Sequence, residues 1–403
     1  MLLISLPRLI RPEIAKKCAA ILSGVTPKHS IIPSATIVSK ENRDPDYKRP
    51  KPWPYETKPF KYWHAYFHST LQYFDENTKI IVVDGQIGAG KSEFTKALAE
   101  AFDMKYIPEP TVDVFYTTEN GYDLRKLDAI APPSYKVCEL KTFYQNPYHH
   151  NVAQFQYRMN FLRYMDYINA CAHLLNTGQG VVMERSAFSD FVFFEAMFKA
   201  GYVNKRVKDL YYDIQANTLD ELLRPHLVIY LDISPEVALE RIKKRNDPIE
   251  VNSPVLTKDY LESIEYLYKQ KYLKEAEKYS EILIYDWSNY GDVEVVVEDI
   301  ERIDFDRFTK YDSKLKDWRK EDDWEWAYWR KHYTKEIDTL LGYSCIFRAS
   351  VPEVLHPAEE VAEWREIIDK VPGEMYSYGF NPMAGDNVWF KRGYGGQPTV
   401  NRH

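Results

Sequence analysis

The residues with the clearest chemical potential in this 403-residue chain are Gly85, Gly88, Gly90, Lys91 and Ser92, set in the run Gly85-Gln-Ile-Gly-Ala-Gly-Lys-Ser92. Spaced glycines let the main chain curl so that successive N–H groups converge on phosphate oxygens, and the start of a following helix adds partial positive charge. Lys91 would then reach the terminal phosphates of a nucleotide, and the Ser92 hydroxyl would hold magnesium. The motif has force only between a strand and a helix. That setting is present: Lys-Ile-Ile-Val-Val-Asp reads as a buried strand before it, and a helical pattern runs through Ala101 after it. Glu93 is the discordant neighbour, an acid close to where phosphate charge would accumulate.

Two further groups stand at the ends of apolar runs. Glu109-Pro110 follows the second run and Glu184-Arg185-Ser186 the third. In an open parallel sheet the carboxyl ends of the strands form one rim, so these residues and the glycine-rich loop would share a crevice. Glu109 could accept the proton of a hydroxyl being phosphorylated, Glu184 could bear on magnesium through water, and Arg185 could steady substrate or phosphoryl charge. The plainer alternatives are a solvated loop acid for Glu109 and a local salt bridge for Glu184 and Arg185. Arg241 and Arg245 lie four residues apart in a basic helix end with Lys243 and Lys244, on one helical face suited to a lid over phosphates. A solvated basic face is the alternative there.

The elements that must position these groups are five short β-rich runs, Lys79–Asp84, Lys105–Ile107, Gly180–Met183, Leu227–Asp232 and Glu281–Asp286, alternating with helical stretches. Near-continuous apolar strands between amphipathic helices predict an α/β fold of the P-loop type: a five-stranded parallel sheet with helices on both faces. Long Tyr- and Leu-rich stretches, Val152 to Leu175 and Tyr260 to Tyr279, read as core-facing helices.

Four segments are expected. Residues 1–40 carry six basic residues against the single acid Glu13 and read as a mitochondrial presequence, with a simple basic arm as the alternative. Residues 41–75 form a proline-rich extended arm lying on its own surface or a partner's, 76–300 the P-loop domain, and 301–403 a C-terminal helical and irregular extension. Six of the nine tryptophans fall in that last quarter. Such a tail either wraps this domain or docks on another chain, and docking is the reading adopted.

A net charge of −7 and a pI near 5.9 argue against nucleic acid as a partner. No stretch of 18 apolar residues occurs, so membrane association would be indirect, through partners. Cys18, Cys138, Cys171 and Cys345 stand far apart and read as buried free thiols, not as metal, iron–sulfur or disulfide ligands.

The order of Gly85-x-x-Gly88-x-Gly90-Lys91-Ser92, Glu109-Pro110, Phe155-Gln156, Glu184-Arg185-Ser186 and Ser234-Pro235-Glu236-x-Ala238-x-Glu240-Arg241-Ile242 resembles the deoxynucleoside kinase family from about Lys79 to Asp286. The resemblance implies a kinase fold with Glu109 as general base, Gln156 as the base-recognising amide, Arg185 as the substrate-site arginine, and Arg241 and Arg245 in the lid. Four features depart from it: Glu93 where the family has Thr, an insert at Ala129–Lys141, the acids Asp247 and Glu250 after the lid, and the two appended segments. With those appendages the chain is similar to the kinase-like accessory subunits of mitochondrial NADH:ubiquinone oxidoreductase, respiratory complex I. That resemblance implies a protein on the matrix side of the inner membrane that carries no electrons, supports assembly or stability, and contacts other complex I subunits through its arm and extension. It implies an ATP- or deoxynucleotide-like purine nucleotide at the P-loop, magnesium with it, and an association with FAD for which no local residue pattern asks. The competing expectation is an active mitochondrial deoxynucleoside kinase.

Overall fold

The computed structural model describes residues 36–44, 46–346, 348–371 and 374. The expected presequence, apart from its last five residues, and the segment from Pro372 onward, apart from Glu374, lie outside the described residues.

Five parallel strands form one sheet in the order β2-β3-β1-β4-β5: β1 Ile80–Gly85, β2 Lys105–Ile107, β3 Val181–Glu184, β4 Leu227–Asp232 and β5 Glu281–Asp286. Their near-continuous apolar composition follows from burial on both faces, since alternate side chains leave a strand in opposite directions. Ile80, Val82, Val181, Met183, Val228 and Tyr230 point to one face, against helices α2 Val152–Thr177, α3 Phe191–Lys199, α4 Lys205–Thr218 and α6 Lys258–Leu267. Ile81, Val83, Val182, Leu227, Ile229 and Leu231 point to the other, against Phe94 and Leu98 of α1 Lys91–Ala101, Ala238 of α5 Pro235–Arg245, and Val296 and Ile300 of α7 Val293–Glu301.

The long helix expected over Tyr260 to Tyr279 is interrupted. After α6 the chain makes a π-helical turn, Tyr268–Tyr272, then a short α-helical piece, Leu273–Ala276. The wider turn leaves Tyr268 and Tyr272 both buried beneath the sheet, with the Tyr268 hydroxyl 3.3 Å from Asp84 Oδ1.

The described parts of the appended segments lie on the domain itself. In the arm, Trp53 donates its main-chain N–H to Asn176 at the end of α2, and Arg43 and Arg49 clamp the buried Asp75. In the extension, Trp318 and Trp326 are buried in the main core beside α2, Tyr333 is fully buried, and α8 Asp323–His332 and α9 Ile337–Tyr343 pack against the domain. The last helix, α10 Ala358–Asp369, sits on the unexpected insert: Tyr135 stacks on His356 and Trp364, and Ser134 N–H donates to Glu360 Oε2 at 2.7 Å. Residues 305–346 and 348–371 thus wrap the domain, the alternative set beside docking on another chain. Trp318 and Trp326 find their apolar partners on the kinase-like core. The thiol reading needs one correction as well: Cys138 and Cys171 are buried, but Cys345 is exposed, and Cys18 lies outside the described residues.

Candidate functional site

The loop after β1 has the geometry its glycines predict. Gly88 and Gly90 take φ of +81° and +82°, where a side chain is strained, and α1 begins at Lys91. A Cβ on Gly85 would stand 2.8 Å from the Leu231 carbonyl oxygen, so the close approach of β1 to β4 also demands glycine. The Gln86 side chain fixes the loop by donating to the Leu261 carbonyl at 2.7 Å.

Lys91 is buried, with its Nζ 3.1 Å from the Gln86 carbonyl and no carboxylate within ion-pair reach among the described residues. Burial, helped by the nearby Arg185 cation, lowers its pKa from 10.5 to about 7. The Ser92 hydroxyl donates to Glu184 Oε2 at 2.8 Å, and the Tyr106 hydroxyl makes a short hydrogen bond to Glu184 Oε1. Glu184 and Ser92 are thus adjacent, as a shared magnesium would require. Among the described residues no cluster of three or more His, Cys, Asp or Glu side chains could hold a metal by itself, so a cation here would complete its shell with phosphate oxygens and water. Glu93, the discordant acid, is exposed on the first turn of α1.

Glu109 and Arg185 do meet. Arg185, in the left-handed region at φ +58° directly after β3, forms an ion pair with Glu109 Oε2, and Arg163 from α2 reaches Oε1 at 2.6 Å. A non-glycine residue in that conformation is strained by a kilocalorie or more, on the order of 1–3 kcal/mol, and such strain concentrates where side-chain aim matters. Burial works to raise the Glu109 pKa, but Arg185 and Arg163 outweigh it and hold the carboxyl well below the usual range. Arg163 also pairs with the fully buried Asp190, which accepts from Gln156 Nε2 at 3.2 Å and from the Tyr211 hydroxyl. One network therefore runs Glu109–Arg163–Asp190–Gln156 and joins two of the anticipated residues, Glu109 and Gln156.

The lid arginines differ from expectation. Arg241 does not point free over the loop: it donates to the carbonyls of Ala89 at 3.1 Å, Trp287 at 2.6 Å and Ser288 at 3.1 Å, and stacks 4.2 Å from the Tyr290 ring. The helix end of α5 brings it to the P-loop, but main-chain oxygens there satisfy it before any phosphate does. Arg245 forms an ion pair with Glu250, one of the two acids that set the lid sequence apart.

Sequence reasoning missed Arg163, Asp190 and Tyr106. Arg163 lies seven residues after Gln156 on the same helical face, a spacing that could have flagged it. Nothing local marks Asp190 or Tyr106, whose partners are distant in sequence.

A parallel sheet with this strand order, a phosphate loop at its rim and a carboxylate–arginine pair beside it define a nucleoside-kinase-like P-loop protein. Residues 81–321 match the family model for deoxynucleoside kinases. The chain belongs to the deoxynucleoside kinase family. Within it, the chain is similar over most of its length to mitochondrial proteins named NADH dehydrogenase (ubiquinone) 1 alpha subcomplex subunit 10. Identity to that of Mus musculus is 36% over 80% of this chain and 86% of the relative, and to that of Bos taurus 34% over 78% and 88%. The deoxyguanosine kinase of Dictyostelium discoideum is 28% identical over 57% of this chain and 70% of its own length. The pairing of a kinase domain with respiratory-chain relatives is the one its ordered motifs and appendages led us to expect.

Proposed function

We propose that this chain is a non-catalytic accessory subunit of mitochondrial complex I, on the matrix side, which binds a purine nucleotide at its P-loop and supports assembly or stability. We divide it accordingly into a presequence (1–40), an arm (41–75), the kinase-like domain (76–300) and the extension (301–403). The observation that carries the nucleotide reading is Lys91, a buried cation without a carboxylate partner at the mouth of a helix N-terminus. A polyphosphate supplies the countercharge that burial otherwise denies it. Ser92 and Glu184 fit a magnesium ion that accompanies the phosphates. Gln156, with Arg163 and Asp190 behind it, offers the polar edge a nucleobase needs, and a deoxyguanosine kinase among the relatives favours a purine. Gly85, Gly88 and Gly90 supply the loop shape, and Arg241 braces it.

FAD is assigned no place. The built feature is a phosphate cradle, and Phe193, the aromatic ring beside Arg163 and Arg185, already carries both guanidiniums at 5.1 and 4.4 Å.

The accessory reading rests on the extent of similarity to respiratory subunits and on the lid, where Arg245 and Arg241 are occupied by the protein's own oxygens. The kinase reading keeps one favourable observation. Glu109, held ionised beside Arg185, can accept a hydrogen bond from a hydroxyl, although a carboxylate so depressed is a weak proton acceptor. The purified chain incubated with labelled ATP and each of the four deoxynucleosides separates the two. We expect no turnover approaching the ordinary kinase scale of about 1 per second. Turnover at that scale, abolished by Lys91→Ala, would establish the kinase instead.

A further inference from the structure

Trp318 and Trp326 are spent on holding the extension to the domain, but a second set of aromatic rings faces outward. The 3-10 turn Tyr62–Tyr66 packs antiparallel against α8. Tyr66 meets Trp324 edge-on at 5.0 Å, and at the other end Lys331 Nζ lies 5.1 Å over the Tyr62 ring. Along this seam six large rings are exposed: Tyr62, Trp63, Tyr66, Phe67, Trp324 and Tyr328, with Tyr66 73% and Phe67 77% accessible. Exposed Trp, Tyr and Phe rings gathered on two packed elements are costly to leave in water and have the composition of interface hot spots. Every one of the six lies outside residues 81–321, the part that matches the kinase family. The surface therefore belongs to what has been added to the kinase.

The charges around it have a direction. Lys61 stands at the Tyr62 end, where Lys331 is paired with Glu336, while Asp322 and Glu325 flank Trp324 at the Tyr66 end. A bilayer surface presents one sign of charge and would repel one end of this seam. A polypeptide can present both.

We infer that this aromatic seam is the docking surface for a neighbouring protein subunit. The partner surface is an apolar ridge of opposite polarity, with an acidic group opposite Lys61 and basic groups opposite Asp322 and Glu325. The inference rests on the accessory-subunit reading and adds to it the place and chemistry of the contact.

The test uses cells lacking their own copy, into which the full chain is returned as wild type, as the double variant Trp63→Ser/Phe67→Ser, as Lys61→Glu, as Glu325→Lys, and as both reversals together. Solubilised membranes are then run on native gels. Wild type should migrate with the large respiratory assembly. The aromatic double variant should lose that fraction by about tenfold or more, while the purified variant keeps the wild-type melting temperature, since these side chains are exposed. Each charge reversal should weaken incorporation, and combining the two should not restore it, because the partner's polarity is unchanged. Equal incorporation of wild type and double variant would overturn this inference and leave the accessory reading standing. Failure of wild type to co-migrate would overturn both. Binding of purified wild type to phosphatidylcholine–cardiolipin vesicles, lost in the aromatic variant, would assign the seam to a bilayer and overturn the polypeptide partner.

Discussion

Lys91 is buried, and the nearby carboxylates Glu109, Glu184 and Asp84 offset that burial only in part, which makes its protonation state a reporter of ligand. Its pKa falls from 10.5 to about 7 in the folded chain, so between those values the folded state holds fewer protons than the unfolded. The burial therefore opposes folding fully below pH 7, and the opposition fades as pH rises towards 10.5. A bound phosphate chain restores the charge. Calorimetry in buffers of different ionisation enthalpy should accordingly show uptake of up to about one proton per nucleotide at pH 8 and almost none at pH 6. Binding at pH 8 without proton uptake would mean that Lys91 is already charged and otherwise paired. At this scale the sequence told most about residues whose neighbours are close in the chain. Gly88, Gly90, Lys91 and Ser92 were legible because a strand–loop–helix turn fixes their geometry locally. The Arg163–Asp190 pair was not, because it joins α2 to the loop after β3 across 27 residues.

The strands were legible to within a residue because burial on both faces leaves little choice of composition: β4 and β5 fall on the expected spans, and β1 and β3 are shifted by one. The appended elements were not, since composition announces that tryptophans will be buried without saying against what. Arg330 of α8 shows how that question is answered. It is fully buried, donates to Asn176 Oδ1 at 2.7 Å and to the His68 carbonyl at 3.1 Å, and lies 4.2 Å from the Phe60 ring and 4.9 Å from that of Tyr73. Burial lowers its pKa to about 10, so it stays charged at neutral pH. One side chain thus ties together the arm, the end of α2 and the extension. Arg330→Ala removes two hydrogen bonds and the stacked rings' cation, a loss of about 3 kcal/mol. We expect the melting temperature to fall by roughly 3–5 °C, and limited proteolysis to cut the arm and the extension together. Cleavage of one without the other would show that the two are held independently.

As a whole the molecule is a kinase-like core belted by additions at both ends. Residues 305–346 and 348–371 complete the surface of the core, with α10 seated on an insert that itself departs from the family pattern. The additions and the crevice have separate tasks in this account, contact with neighbours and retention of a nucleotide, and the second task is the more exposed to direct test. The most direct measurement is mass spectrometry of the small molecules released on denaturing the chain recovered with its native assembly, for wild type and for Lys91→Met. Wild type should release a purine nucleoside polyphosphate in near-equal amount to protein, and the variant little or none. A flavin as the released molecule, or a wild-type chain that yields no nucleotide at all, would contradict it.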